Sequence, residues 1–104
     1  MESDIDLASK TGIRPRVIEE IRTLACKYHV EKVILFGSRA RGDFKSTSDI
    51  DLAVEGGEFT RFALDIEEET YTLLKYDIVD LSRDIRQELR DSIVREGKVL
   101  YEKV

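Results

Sequence analysis

Between two short apolar runs, the stretch FGSRARGDFKSTSDIDLAV (Phe36 to Val54) holds two glycines, two arginines and three aspartates. Apolar runs of this length, bounded by glycine and polar clusters, read as buried strands rather than helices. KVILF (Lys32 to Phe36) is the first and is ended by Gly37. Ser38 to Arg41 reads as a tight turn entering a helical turn, and Gly42 to Ser48 as a loop. DIDLAV (Asp49 to Val54) alternates as a second strand, with Ile50, Leu52 and Val54 on one face. Asp49 and Asp51 then project together from the other face, because side chains two apart on a strand point the same way. Their carboxylates would lie roughly 5–7 Å apart, and at an effective dielectric near 20 the pair costs about 2–3 kcal/mol. Folding alone gives little reason to choose such a pair.

The flanking sequence predicts the layers around these strands. Val17, Ile18, Ile21, Leu24, Ala25 and Tyr28 form the stripe of an amphipathic helix that begins at Pro15. After Gly56-Gly57, a second helix places Phe59, Phe62, Ala63, Ile66, Thr70, Leu73 and Leu74 on one side. YDIVDL (Tyr76 to Leu81) is a third strand. Ile85, Leu89 and Ile93 mark a last helix closed by Gly97, followed by a short KVLYEKV tail. This order predicts an α/β or α+β sandwich with a small mixed sheet, and 104 residues leave room for one domain, 1–104.

Two acids on a solvated strand are common, and the chain carries its own control: DIDL recurs at Asp4–Leu7 with no glycine turn before it. That copy reads as a solvated N-terminal segment. The element upstream of Asp49 changes the reading. Gly37 lets a backbone approach a phosphate closely, Ser38 offers a hydroxyl and an amide, and Arg39 and Arg41 offer guanidinium contacts to phosphate oxygens. Paired carboxylates opposite an anion cradle suit two divalent cations, and oxygen ligands suit Mg²⁺.

The order of strand, GS, ten residues and DxD on a second strand resembles the signature of the nucleotidyltransferase superfamily that includes DNA polymerase β. Most closely, residues 37–54 resemble the minimal nucleotidyltransferase (MNT) proteins of bacteria and archaea. The resemblance implies that Gly37 and Ser38, with Arg39 and Arg41, hold the triphosphate of ATP, and that Asp49 and Asp51 ligate two Mg²⁺. It also implies a third carboxylate from YDIVDL that ligates the catalytic metal and helps position or deprotonate the attacking hydroxyl. Asp77 and Asp80 are both candidates. Three apart on a strand, they point to opposite faces; the resemblance, in which the family's acid enters at the start of the third strand, favours Asp77.

Composition limits the partners. Residues 1–54 carry nine acidic and nine basic side chains, whereas residues 55–104 carry thirteen acidic and eight basic. A net charge of −5 argues against a dedicated nucleic-acid binder and leaves an acidic half that suits a basic protein partner. A single cysteine and the lack of any long apolar run point to a reducing compartment, the cytoplasm, with no transmembrane helix or secretory signal expected. Cys26 reads as a packing residue, as do Tyr71, Tyr76 and Tyr101. His29 marks a helix end, and Glu67–Glu69 a solvated helix face. MNT-like proteins pair with HEPN-domain toxins and act as antitoxins by transferring AMP to a toxin tyrosine. The resemblance therefore implies an ATP- and Mg²⁺-dependent adenylyltransferase whose acceptor site a partner completes. Transfer to a small hydroxyl compound and neutralisation without chemistry are the two rival readings.

Overall fold

The computed structural model describes residues 3–104. Four strands form one mixed sheet in the order β3-β2-β1-β4. β1 (Lys32–Phe36) runs antiparallel to β2 (Ile50–Glu55) and to β4 (Lys98–Glu102), while β2 runs parallel to β3 (Tyr76–Asp80). The sheet is mixed, as its sequence pattern predicts.

Alternation along each strand divides the core in two. Val33, Leu35, Ile50, Leu52 and Val54 face a layer of helices: α1 (Asp4–Thr11), α2 (Pro15–Lys27) and α4 (Phe59–Glu69). α2 contributes Val17, Ile18, Ile21, Leu24 and Ala25, the stripe its sequence shows, and has its proline in the first turn. On the opposite face, Phe36 and Ala53 pack with Ile93 of α5 (Gln87–Glu96), flanked by Ile34, Val79 and Leu89. One helix therefore covers this second face. One alternation step toward the starts of β2 and β3, beyond Ala53 and Val79, the same face carries Asp51 and Asp77.

Several sequence expectations are corrected. The Asp4–Leu7 copy of DIDL is not a solvated segment. It opens α1, where the Ser3 side chain accepts the Asp6 N–H, Leu7 is buried, and Asp4 pairs with Arg22. The C-terminal tail is edge strand β4, and the Leu100 carbonyl accepts from Arg22 Nε at 2.7 Å. α4 stops at Glu69 because Thr70 turns to extended backbone, its hydroxyl donating back to the Ile66 carbonyl at 2.6 Å. Leu73 therefore leaves the helical face and is fully exposed. Cys26 is exposed rather than packed. Tyr71 lies outside the core with the Arg16 guanidinium 4.2 Å over its ring. His29 follows the end of α2 in a left-handed turn, φ 59°.

Candidate active site

β1 ends at Phe36, and Gly37 turns the chain into the four-residue helix α3 (Ser38–Arg41). Gly37 has φ 75° and ψ −159°, a backbone region open essentially to glycine alone. A Cβ there would lie 2.2 Å from Asp51 Oδ2. The missing side chain is therefore the space that Asp51 fills. Sequence reasoning gave this glycine to phosphate approach; the structure adds the carboxylate as a second reason. The first N–H groups of α3 have no intrahelical acceptor and lie at the same turn.

Strand register settles which acids stand together. Asp51 is directly paired with Asp77 across the parallel β2–β3 ladder, where strands are about 4.8 Å apart. Asp80 pairs with Val54, on the opposite, helix-facing side. Its carboxylate is engaged locally, accepting the Ser82 N–H at 2.9 Å and facing Arg83 at 3.6 Å. Asp49 precedes β2 and is exposed. Asp49, Asp51 and Asp77 form no hydrogen bond or ion pair among the described residues.

Asp51 is half-buried, and burial is the first cause that raises its carboxyl from the ordinary 3.8 to about 6. The charges of Asp77 and then Asp49 add to the shift, while Arg41 opposes it. The sequence pattern singled out Asp49 as the repelling neighbour, but Asp77 is the stronger one. A cation would relieve this electrostatic cost, so the donor set fits Mg²⁺. Among the described residues, no three acidic, histidine or cysteine side chains form a ready-made metal cage.

The two arginines separate. Arg41 is exposed at the site, hydrogen-bonded to Asp43 at 3.2 Å and Glu96 at 3.1 Å. Arg39 is 1% exposed and donates to four backbone carbonyls, so its guanidinium is committed to the protein rather than turned toward phosphate. This corrects its expected place in the phosphate cradle. Nothing in GSRARG distinguishes the two arginines, because the carbonyls that bury Arg39 come from the loop that folds back after α3 and from Thr11, the last residue of α1. Sequence reasoning also missed an open groove of about 1040 Å³ whose lining includes Asp49 together with Arg14, Ser46, Thr47, Tyr71 and Lys75.

One expected result follows from Gly37. Gly37→Ala incurs backbone strain of about 1–3 kcal/mol and displaces the Asp51 carboxylate. Thermal unfolding and ATP calorimetry of the same preparation should fall together. A variant with wild-type melting and wild-type affinity would contradict this geometry.

Residues 19–104 match the profile of the family described as polymerase beta, nucleotidyltransferase. A Methanocaldococcus jannaschii relative, provisionally named a protein adenylyltransferase, is 34% identical over 80% of this chain and 92% of its own length. A toxin–antitoxin crystallised with AMP-PNP superposes with a TM-score of 0.66 at 26% identity, over 83% of this chain and 73% of that one. A solved structure provisionally called a minimal nucleotidyltransferase gives 0.62 at 26% identity, over 93% and 95%. A complex of a tri-AMPylated Shewanella oneidensis HEPN toxin with its MNT antitoxin gives 0.59 over 84% and 71%, and its 22% identity speaks for the fold alone. The chain belongs to the polymerase β family of nucleotidyltransferases. Its sheet and helices are those of the minimal members, and it is an enzyme of nucleotidyl transfer.

Proposed function

We propose that this protein transfers AMP from ATP to a tyrosine hydroxyl of a HEPN-domain toxin, with Mg²⁺ as cofactor, and so acts as an antitoxin. The observation that carries the chemistry is Asp51 set abreast of Asp77 and against the Gly37 turn, with neither carboxylate paired. The acceptor reading draws on the similarity to a toxin–antitoxin that binds AMP-PNP and to the named protein adenylyltransferase. The exposed Glu67, Glu68 and Glu69 suit a basic partner surface.

In this reading the Gly37 turn, the Ser38 amide and hydroxyl, and Arg41 hold the triphosphate of ATP, and Asp49, Asp51 and Asp77 hold two Mg²⁺. When bound, Mg²⁺ would neutralise phosphate charge and favour charge build-up on the transferring phosphoryl group. Asp77, exposed and unpaired, positions the acceptor hydroxyl and takes its proton. The hydroxyl oxygen forms a bond to the α-phosphorus as the bond to the bridging oxygen breaks, and pyrophosphate leaves in line. The groove beside Asp49 gives the acceptor segment a route to this point. Among the described residues no helix is long and apolar enough to cross a membrane, and the exposed free thiol of Cys26 fits the cytoplasm.

Mass spectrometry of a HEPN-domain partner, after incubation with this protein, ATP and Mg²⁺, tests the reading. An AMP adduct on tyrosine, absent with Asp51→Asn, is the expected result. Neutralised toxin carrying no adduct would leave a binding antitoxin. AMP on a small hydroxyl compound but never on the partner would point to the other rival.

A further inference from the structure

Arg39 is the largest fully buried side chain in the protein. Its Nε donates to the Ser48 carbonyl at 3.0 Å, and its Nη1 to the Thr11 carbonyl at 2.9 Å. Nη2 reaches the Lys45 and Ser46 carbonyls at 3.4 and 3.3 Å, and the Phe44 ring lies 5.0 Å from the guanidinium. One side chain therefore gathers the loop that ends in Asp49 and fastens it to the last residue of α1. Ser48, its nearest loop partner, immediately precedes Asp49. Only a planar fork of several N–H donors spans acceptors spread this way; a lysine ammonium is a compact point charge.

The far end of the tie is anchored as well. α1 is held by its Ser3 cap, by buried Leu7 and by the pairing of Asp4 with Arg22, and Thr11 Oγ1 donates to the Leu7 carbonyl. Gly12 follows at φ 68°, where a Cβ would meet Phe44 Cε2 at 2.4 Å and Arg39 Nη1 at 2.8 Å. α1 and Gly12 lie before residue 19, where the match to the family profile begins.

We propose that Arg39 is a positioning residue that sets Asp49 from behind, which makes the N-terminal segment from Asp4 to Gly12 a working support of the nucleotidyl-transfer site. This rests on Asp49 being a ligand of the metal–nucleotide complex, and the test separates the two claims. Misplacing the loop loosens the metal at Asp49 while leaving the Gly37–Ser38 turn intact. The signature is weakened metal binding and a raised Mg²⁺ requirement, with the KM for ATP at saturating Mg²⁺ nearly unchanged.

The experiment titrates the full chain with Mn²⁺, standing in for Mg²⁺, in the presence of a non-hydrolysable ATP analogue, and reads free Mn²⁺ by paramagnetic resonance. Arg39→Lys, Gly12→Ala, Asp49→Asn and a control, Gly56→Ala, are compared with wild type. Gly56 sits at the other end of β2 with φ 75°, and the three atoms nearest a Cβ there all belong to the flexible Glu31 side chain. It thus imposes the same left-handed strain as Gly12→Ala without touching the tie. The expected result is Mn²⁺ affinity lowered about 10- to 100-fold in Arg39→Lys and Gly12→Ala, the scale for disturbing the support of a metal ligand. Gly56→Ala should lose thermal stability yet bind Mn²⁺ as wild type does. If Arg39→Lys does not fold, Gly12→Ala decides. Equal Mn²⁺ affinity in Gly12→Ala and Gly56→Ala, with Asp49→Asn weakened, would overturn the tie alone. Wild-type affinity in Asp49→Asn would overturn the ligand reading and the tie with it.

Discussion

Replacing Asp51 with asparagine should raise the melting temperature of the metal-free protein and at the same time lower nucleotidyl transfer by at least about two orders of magnitude. The stability gain follows from linkage. Burial and the charges of Asp77 and Asp49 raise the Asp51 carboxyl from 3.8 to about 6, so the folded state prefers it protonated. The folded protein holds more protons than the unfolded chain between those values, and stability therefore falls as pH rises through that window. The full shift corresponds to about 3 kcal/mol, and partial solvation of the half-exposed side chain reduces this to roughly 1–2 kcal/mol. For a domain of this size that is a gain of roughly 5–10 °C at neutral pH. The gain should vanish near pH 4, where wild-type Asp51 is itself neutral. Thermal melts at both pH values in chelator-treated buffer check the sign. A variant that melts lower than wild type at neutral pH, or keeps transfer activity, would contradict the placement of Asp51.

Asp77→Asn should cut turnover by at least about a hundredfold, the usual scale for losing a positioned catalytic group. Asp80→Asn should stay within a few-fold of wild type. The register carries this ranking: Asp77 is abreast of Asp51, whereas Asp80 is abreast of Val54 and tied to Ser82 and Arg83. Asparagine can still accept the Ser82 N–H, so the Asp80 variant should fold normally. Steady-state rates at saturating ATP and Mg²⁺ check both, and the reverse ranking would transfer the role to Asp80.

The sequence already showed why these residues gather. Period-two alternation in DIDLAV sends Ile50 and Leu52 inward and Asp51 outward, and Gly37 marks the end of β1. Both are local signals, and both appear in the structure. The choice between Asp77 and Asp80 was less legible, because either Ile78 or Val79 could serve as the core residue of β3. Only the pairing with β2, a contact between distant residues, resolves the face. The same limit explains α1 and β4. Asp4–Thr11 has few apolar residues, and its helix is held by Leu7 in a core built later in the chain and by Arg22. Val99 and Tyr101 become strand residues through pairing with β1. Leu73 shows the converse error, since helical spacing placed it on an apolar face that the Thr70 hydroxyl had already ended. Arg39 looked like a phosphate ligand because, like Arg41, it brings a guanidinium beside the Gly37 turn. Its four carbonyl acceptors are visible only once the loops close around it.

The central claim is that AMP, not a terminal phosphate, leaves ATP for a protein hydroxyl. Two parallel reactions with Mg²⁺ and a HEPN-domain partner, one with ATP labelled at the α-phosphate and one at the γ-phosphate, test it most directly. Label should reach the partner only from the α position, with the γ label released as pyrophosphate, and Asp51→Asn and Asp77→Asn should abolish both. Transfer of γ label to the partner, or ATP consumption with neither label transferred, would contradict it.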